Sequence, residues 1–305
     1  MSEELVSIVI PTFNCAEYLR RALQSVLNQT YKNWEALVID NHSLDNTDDV
    51  VRNLNDGRIK LLKAHNKGVI AISRNLGIRE ASGRWVAFLD ADDYWKPSKL
   101  AISVHALTKG ADFVYHDLLR AGPFLQNLFS RRTIRSRRLL NPIHENLFKF
   151  GNAILNSSVV VRRDLLVNVG GISENPRLVA AEDFECWIRV SRLTDRFHRI
   201  SGAHGFYWIG NANTSSSGRT IVCLSELREL YSKTCGSEVE LYSPPWLSFA
   251  LAKAYFEVND FSACQFELRR LLASKQISRG VQIKANLLAI LLLGAKIMQS
   301  KTKID

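Results

Sequence analysis

The sequence has few cysteines, and their arrangement limits both the compartment and the metal chemistry. The five cysteines are scattered through the chain, and no two of them form a Cys-x-x-Cys pair. They are Cys15, Cys186, Cys223, Cys235 and Cys264. An odd, unpatterned set of thiols is typical of a reducing cytosol, and it argues against a zinc site.

Long hydrophobic runs are also missing. The longest apolar run covers residues 287–295, whereas a membrane-spanning helix needs roughly 20 such residues. No charged segment followed by an apolar stretch stands near the start, so we expect neither a spanning helix nor a secretory signal. Hydrophobic residues nevertheless make up 46% of the 305 residues. This supply is enough for one large folded domain, or for a domain with an appendage.

Acidic residues are absent from one stretch of the chain. None lies between Asp117 and Glu145, whereas Arg120, Arg131, Arg132, Arg135, Arg137 and Arg138 all fall inside. The whole chain carries a net charge of +10, which favours anionic partners such as nucleic acid, a membrane surface or phosphorylated substrates. The stretch is either a solvated basic loop or a contact for anionic lipid headgroups or a pyrophosphate-bearing acceptor.

Strand and helix patterns alternate in the first part of the chain. Strands are expected at residues 6–10, 34–39, 59–62, 85–89, 112–115 and 157–161, the first of them stopped by Pro11. Helical periodicity covers residues 16–28, 47–54, 71–81, 97–107, 164–169 and 181–192, and only helices are expected beyond residue 220. This order predicts an α/β fold whose mainly parallel sheet has helices on both faces, followed by a C-terminal helical extension.

Two aspartates follow the buried strand at residues 85–89. Because side chains alternate along an extended chain, Asp90 and Asp92 are expected on the same side, at the strand's carboxyl end. Neighbouring carboxylates repel each other unless a cation or a donor-rich ligand neutralises them. A divalent metal that also contacts phosphate oxygens is the natural partner, and ligands bind at this edge of an α/β sheet. The alternative is a turn with solvated acids.

Further polar residues lie at the ends of predicted elements. Asp40 ends the second strand, where it can bind a nucleobase or ribose or serve as a turn acid. Arg74, expected at the start of a helix, can bind phosphate or pair with an acid at the surface. Glu182 and Asp183 open a helix, where acids complement the helix dipole and can also accept a proton from an acceptor hydroxyl.

These residues belong to a series of motifs in a fixed order. The motifs cover residues 7–14, 38–45, 66–68, 73–77, 90–93, 157–158, 170–171 and 182–183, with Trp187 and Arg189 close behind. Their order and spacing closely resemble glycosyltransferase family 2, over residues 5–215. The resemblance implies the Rossmann-like GT-A fold. It also implies an inverting enzyme that transfers a hexose or N-acetylhexosamine from a nucleoside-diphosphate sugar to an acceptor hydroxyl.

The resemblance also implies roles for particular residues. Asp92 would bind Mn²⁺ or Mg²⁺ directly, and Asp90 would contact the ribose or the metal, so that the charge of the leaving diphosphate is neutralised. Asp183 would be the general base, with Glu182 supporting it. The donor pocket would contain Pro11, Thr12, Asp40, Asn41, Lys67, Arg74 and Asp90.

Two segments depart from the family pattern. The family usually has Asp-Asp-Gly-Ser after the second strand, whereas Asn41 and His42 replace the second aspartate and the glycine here. Asn41 can still pair with a uracil edge, which favours UDP as the donor nucleotide. Residues 207–213 lack the His or Arg that often helps to hold the metal or the pyrophosphate, so this contact stays unassigned.

The resemblance further implies a place in bacterial surface polysaccharide synthesis. The acceptor would be a saccharide, carried on a polyprenyl diphosphate, and no nucleic acid partner is expected. The enzyme would be cytoplasmic, with peripheral contact to the anionic inner face of the plasma membrane. We expect a catalytic domain at residues 1–220, divided into a nucleotide-sugar half (1–117) and an acceptor half (118–220), and a helical region at 221–305. That region either packs on the core or docks on an anionic leaflet.

Two other functions remain open. A nucleotidyltransferase of similar fold would need a glycine-rich phosphate loop after the first strand, and residues 11–14 contain no glycine. A catalytically silent module that binds anionic lipid or nucleic acid would use the basic stretch. That stretch offers only Phe124 and Phe129 for base stacking.

Overall fold

The computed structural model describes residues 4–122, 133–210, 216–234, 243–274, 277 and 279–301. The chain divides into two compact units. The first contains Met1–His144, Asn152–Pro176 and Glu182–Asn213, and the second contains Glu145–Gly151, Arg177–Ala181 and Thr214–Asp305. The predicted candidate residues all belong to the first unit.

A mixed sheet of nine strands, counted over the described residues, forms the centre of the first unit. The strands are β1 (Val6–Thr12), β2 (Trp34–Asp40), β3 (Ile59–Lys63), β4 (Trp85–Phe88), β5 (Tyr94–Trp95), β6 (Phe113–Ala121), β7 (Thr133–Ile134), β8 (Val160–Arg162) and β9 (Phe197–Trp208). Their order is β3-β2-β1-β4-β8-β6-β9-β5, and β7 pairs with β6. The part β3-β2-β1-β4 is parallel, whereas β8 lies antiparallel to both β4 and β6. The predicted α/β class is confirmed.

The structure also contains helices in both units. They are α1 (Ala16–Leu27), α2 (Thr47–Leu54), α3 (Ile70–Glu80), α4 (Lys99–Thr108), α5 (Ile143–Phe150), α6 (Arg163–Asn168), α7 (Glu182–Val190), α8 (Ser217–Thr234), α9 (Pro245–Glu257), α10 (Phe261–Leu272) and α11 (Arg279–Lys301). The predicted C-terminal helical extension of the fold is confirmed by α8 to α11. Within the described residues, no helix is both long enough and apolar enough to cross a bilayer.

The core of the first unit explains why these strands form where they do. All seven residues of β1, all seven of β2 and all four of β4 are buried. Near-continuous runs of Val, Ile, Leu and Ala suit strands that are covered on both faces. On α1, the buried side chains include Leu19, Leu23 and Val26, which recur at helical spacing and face the core.

Several predicted strands differ from the structure: β6 continues to Ala121 instead of ending at residue 115, and the short strands β5 and β7 are not predicted. β1 does not stop at Pro11 but continues to Thr12, paired with β2. Proline is tolerated there because the pairing with β4 ends at Val9, so no Pro11 N–H is needed on the β4 side. Ser157 and Ser158 lie in a short 3₁₀ helix, and β8 begins only at Val160. β9 was missed, because polar and glycine residues interrupt its apolar alternation and its register with β6 shifts twice.

The second unit has a hydrophobic core of its own. Its buried residues lie on α9, α10 and α11, and they include Ala252, Cys264, Leu268 and Leu288. A nearly buried ion pair between Arg228 Nη1 and Glu267 Oε1, at 2.7 Å, joins α8 to α10. The N-terminus of α10 is capped by Asp260, whose carboxylate accepts from the Ala263 N–H.

Candidate active site

The two aspartates of the predicted metal site lie on a turn that follows β4. The Asp93 N–H donates to the Asp90 carbonyl at 2.9 Å, so residues 90–93 form a β-turn. Strand alternation is therefore the wrong reason for placing Asp90 and Asp92 together, because the strand ends at Phe88. The two carboxylates are neighbours all the same, since the charge of Asp90 acts on the pKa of Asp92. We call residues 90–93 the acid turn.

Arg74 joins the acid turn to the start of α7. Its Nη2 donates to Asp90 Oδ1 at 2.8 Å, and its Nη1 donates to Glu182 Oε1 at 2.6 Å. The Arg74 residue is only 4% exposed. Burial acts to lower the pKa of its guanidinium, but the charges of Asp90 and Glu182 outweigh it and hold this pKa above the usual value. Arg74 also lies in the second turn of α3, so the predicted helix-start anion site does not apply to it. Its terminal nitrogens bind protein carboxylates.

Asp183 lies next to Glu182 in the first turn of α7 and is partly buried. Burial and the neighbouring Glu182 charge raise the pKa of Asp183 to about 7, although Arg74 acts in the opposite direction. The Asp183 Oδ1 accepts from the Phe184 N–H at 2.6 Å. A carboxyl with this pKa gains and loses its proton near neutral pH, as a general base must.

The acid turn has the electrostatic character of a cation site. Burial and the adjacent Asp90 charge raise the pKa of Asp92 to about 6, which means that negative charge there is under-compensated. Within the described residues, no three His, Cys, Asp or Glu side chains form a ready-made metal cluster. Mg²⁺ and similar ions are often held by only one or two carboxylates together with substrate phosphates. The Asp92 and Asp90 carboxylates fit that kind of site.

Asp93, the third acid of the turn, has a structural role. Its residue is 1% exposed, and its Oδ1 accepts from the Trp208 N–H at 2.8 Å. Burial, with the charges of Asp90 and Asp92, raises the pKa of Asp93 well above its usual value. This carboxyl therefore ties the acid turn to the end of β9.

The predicted nucleotide-binding residues meet at the carboxyl ends of β1 and β2. Thr12 pairs with Asp40 and Pro11 with Ile39, and the Asn41 N–H donates to the Thr12 carbonyl at 3.0 Å.

Asp40 itself is fully buried. Its carboxylate accepts from the Ser43 N–H at 3.1 Å and from Lys63 Nζ at 2.7 Å. Of the two roles considered for Asp40, these bonds favour the one in which its carboxylate stabilises the turn after β2.

In the turn after β2, a histidine has a backbone conformation that is more usual for glycine. His42 has φ of 56°, a left-handed conformation that glycine adopts without strain, which explains the glycine of the family pattern. The His42 ring stacks on His65, with ring centroids 3.7 Å apart. Asn41 Oδ1 accepts from the Asn66 N–H at 2.8 Å, and it links this turn to the one after β3. Lys67, in that second turn, has an exposed side chain.

Three residues near the acids were missed from the sequence. Asn156 Nδ2 donates to Asp90 Oδ1 at 3.1 Å. In the sequence, the only hint of a role for Asn156 is its position directly before the Ser157-Ser158 motif. Burial and the charges of Asp93, Asp90, Asp92 and Asp183 raise the pKa of Tyr207 to about 12. Arg21 Nη2 donates to the Asp92 carbonyl at 2.7 Å from α1. Tyr207 opens the segment 207–213, where the family resemblance implies a contact to the metal or the pyrophosphate, whereas nothing in the sequence signals Arg21 as a neighbour of these acids.

Comparison with known proteins gives matches over the same part of the chain. Residues 7–165 match the family model described as glycosyl transferase family 2. Over 208 residues the chain is 40% identical to the UDP-Glc:alpha-D-GlcNAc-diphosphoundecaprenol beta-1,3-glucosyltransferase WfaP of Escherichia coli. This match covers 65% of the chain and 78% of WfaP. Over 116 residues it is 42% identical to the enzyme WfgD, which has the same description and organism, covering 38% of the chain and 46% of WfgD.

Solved structures share the fold at low identity. TarS 1-349 of S. aureus in complex with UDP-GlcNAc has a TM-score of 0.61 and 19% identity, covering 92% of this chain and 79% of that one. The mannosyltransferase PcManGT of Pyrobaculum calidifontis, in complex with GDP-Man and Mn²⁺, has a TM-score of 0.55 and 17% identity, covering 96% of this chain and 86% of that one.

Proposed function

The chain belongs to glycosyl transferase family 2, and from this membership and the geometry above we propose that it is a metal-dependent, inverting glycosyltransferase with a UDP-sugar donor. The observation that carries the proposal is the bridge through Arg74. It brings Asp90 of the acid turn and Glu182 of α7 to one guanidinium. The bridge supports the proposal, because the acid turn would hold the metal and Asp183, the residue after Glu182, would be the base.

The donor would bind along the carboxyl ends of β1, β2 and β4. Thr12, Asp40 and Asn41 lie at one end of this edge and the acid turn lies at the other. Asp92 and Asp90 would hold Mn²⁺ or Mg²⁺, which supplies positive charge to the leaving diphosphate when bound. Asp40 would act mainly by fixing the turn at Ser43, since its carboxylate is already bonded within the protein. Lys67 would reach the donor from the neighbouring turn.

Asp183 would accept the proton of the acceptor hydroxyl as that oxygen attacks the anomeric carbon. The attack from the face opposite the diphosphate inverts the configuration in one step, and the proton ends on the Asp183 carboxylate. Its raised pKa suits a base that works near neutral pH. Glu182 would hold Arg74 in place. One displacement needs no covalent enzyme intermediate.

The acceptor would be a saccharide on a polyprenyl diphosphate, in the synthesis of a bacterial surface polysaccharide. Support comes from the two Escherichia coli relatives, whose descriptions specify a GlcNAc-diphosphoundecaprenol acceptor and UDP-Glc. Since nucleotide sugars are cytoplasmic metabolites, the enzyme would act at the inner face of the plasma membrane. UDP-Glc and a short-chain α-GlcNAc diphospholipid are therefore the first substrates to test.

Binding and transfer together test this proposal. We expect UDP with Mn²⁺ to raise the melting temperature of the purified protein, because a ligand stabilises the fold that binds it. Asp92→Asn should lose the Mn²⁺-dependent part of this shift, whereas Asp183→Asn should keep the shift and lose sugar transfer. The matched control Asp49→Asn changes an exposed acid on α2, and it should leave both unchanged. A protein that responds to no nucleotide with any divalent ion would refute the proposal.

The membrane contact would be made by one face of α11. Ile283, Leu287, Ile290 and Leu291 are each more than half exposed, and they recur at the spacing of one helix face. Lys284, also exposed, stands beside them. An apolar stripe with adjoining positive charge is typical of a helix that lies in the headgroup region of an anionic leaflet. The net charge of +10 acts in the same direction.

Vesicle sedimentation tests this contact. We expect the protein to bind phosphatidylglycerol vesicles and to bind pure phosphatidylcholine vesicles weakly. Leu287→Glu with Ile290→Glu should reduce binding to the anionic vesicles, whereas the control Leu44→Glu, at a residue 93% exposed in the first unit, should not. If the wild-type protein instead dimerises through this face, light scattering will show a dimer that the double variant lacks. That result would refute the membrane contact.

A further inference from the structure

Arg21 lies in an aromatic environment on the α1 side of the acid turn. Its guanidinium carbon is 4.1 Å from the ring centroid of Trp208 and 4.5 Å from that of Tyr94. The Tyr18 ring, one turn earlier on α1, lies 5.6 Å from it. Aromatic faces attract a guanidinium, and the attraction grows when water is partly excluded. Three rings from three different elements thus hold this side chain.

The same guanidinium is bonded to the acid turn. Arg21 Nη2 donates to the main-chain carbonyl of Asp92 at 2.7 Å. On the other side, the Trp208 N–H donates to Asp93 Oδ1 at 2.8 Å. Arg21, Asp92, Asp93 and Trp208 therefore form a closed circuit of contacts. Arg21 binds the Asp92 carbonyl and contacts the Trp208 ring, and the Trp208 main-chain N–H binds Asp93 of the same turn.

This circuit fixes the backbone on which the Asp92 carboxylate is carried. A planar guanidinium can stack on a ring and donate in its own plane at the same time, whereas a lysine ammonium cannot do both. The Tyr94 ring is itself stacked on Phe206, with centroids 4.4 Å apart. The support for Asp92 is therefore continuous from α1 through β5 to β9.

We propose that Arg21 is a positioning residue for the metal and diphosphate end of the site, acting through the backbone of Asp92 and the Trp208 ring. The inference rests on the proposed function, since it assumes that Asp92 binds the metal. Its hydrogen bond to the acid turn goes to a main-chain carbonyl, and its positive charge also acts to lower the pKa of Asp92. The proposed effect is the one on the geometry of the turn, which Arg21→Lys separates from the effect of charge. Neighbours that orient a metal ligand typically change metal affinity 10- to 100-fold when they are removed.

The test measures the Mn²⁺ concentration that gives half-maximal binding of UDP, by titration calorimetry well below the melting temperature. Arg21→Met should raise this concentration about 10-fold, and Arg21→Lys should not restore it. Trp208→Leu should change it in the same direction. Arg20→Met, at the adjacent exposed arginine on α1, is the matched control and should match the wild type.

A merely structural role would lower the melting temperature and the fraction of active protein, but it would leave the half-saturating Mn²⁺ concentration unchanged. Arg21→Met with a wild-type Mn²⁺ requirement would overturn the inference, provided that Asp92→Asn has lost the Mn²⁺ effect. If Asp92→Asn keeps the Mn²⁺ effect, the proposed metal site is wrong instead. If Arg21→Lys has the wild-type half-saturating Mn²⁺ concentration, a positive charge alone is sufficient. That result would also overturn the inference, which requires the planar guanidinium to contact the rings and the Asp92 carbonyl together.

Discussion

Arg74 and Glu182 form a buried ion pair across 108 positions of the sequence, with 2.6 Å between Nη1 and Oε1. Because the same guanidinium also binds Asp90, one side chain holds the beginning of α7 against the acid turn. Removal of Arg74 would take away the cation that these two carboxylates share.

We expect Arg74→Met to abolish sugar transfer and to lower the free energy of unfolding by about 3–5 kcal/mol, the usual cost of breaking a buried ion pair. Arg74→Lys should recover part of the stability but little activity, because one ammonium cannot reproduce the guanidinium's fork of donors. Urea unfolding and the transfer rate measure the two effects. Arg79→Met changes an exposed arginine of the same helix, and it should leave both values near the wild type.

The pH dependence of transfer follows from Asp183. Its pKa is raised to about 7, so the carboxyl is protonated below that pH and the general base is lost there. With donor and metal saturating, kcat should fall about tenfold per pH unit below pH 7 and reach a plateau above it. A flat kcat profile between pH 5.5 and 8 would contradict the assignment of the base.

The same raised pKa has a consequence for stability. A carboxyl that holds its proton more tightly in the folded state makes the protein less stable as pH rises from the unfolded pKa to the folded one. We therefore expect Asp183→Asn to be more stable than the wild type at pH 8, with the difference disappearing near pH 4. Urea unfolding at both pH values measures it. A variant equally stable at pH 8 would show that the carboxyl is not strained by burial.

Gly171 permits a close contact with Asn75. The Asn75 side chain accepts from the Ile172 N–H and donates to the Ile172 carbonyl, both at 2.8 Å. A Cβ on Gly171 would lie 2.6 Å from Asn75 Oδ1, and φ there is +79°. Gly171→Ala should therefore lower the free energy of unfolding by roughly 2–4 kcal/mol, from backbone strain and broken hydrogen bonds.

The neighbouring Gly170 provides the matched control. It has nearly the same positive φ, +77°, but a Cβ there would meet nothing within 4 Å. Gly170→Ala should cost only the backbone strain, about 1 kcal/mol. Equal losses for the two variants, measured by urea unfolding, would show that the contact with Asn75 contributes nothing.

Lys99 is a buried amine whose replacement should stabilise the protein. The residue is fully buried, its Nζ has no hydrogen-bond partner among the described residues, and it stands 3.8 Å from the centroid of the Trp95 ring. Burial holds the pKa of Lys99 well below its usual value. Lys99→Met should raise the free energy of unfolding by roughly 1–3 kcal/mol at neutral pH, since it removes an unsatisfied polar group.

The gain from Lys99→Met should also depend on pH. A lysine with a lowered folded pKa costs stability as pH falls below its unfolded value, because the unfolded chain then binds the extra proton. The variant's advantage should thus be greater at pH 6 than at pH 10. The exposed Lys109→Met, just after the same helix, is the control. An advantage that is constant over this range would contradict a neutral Lys99 in the folded state.

The sequence predicted much of the first sheet but not the contacts that build the site. The buried runs of β1, β2 and β4 are local signals, and the elements were found where they occur. The sequence predicts Arg74 as a donor contact, yet its two carboxylate partners could not be predicted, since Glu182 comes near it only through the fold. The sequence predicts that Asp90 and Asp92 lie together, but it attributes this to strand alternation. The hydrogen bond from the Asp93 N–H to the Asp90 carbonyl, which forms the turn, cannot be seen in strand periodicity.

The reversal of strand direction beside β4 has a consequence for how this enzyme can diverge. β1 runs parallel to β4 and delivers its end to the acid turn, whereas antiparallel β8 delivers its beginning there, preceded by Asn156. The two flanks of the acids are therefore encoded in separate stretches of sequence. In the proposed site, substitutions before β8 would change one flank of the acid turn while β1, β2 and β3 keep their register. We therefore expect acceptor preference to change in evolution without loss of donor binding.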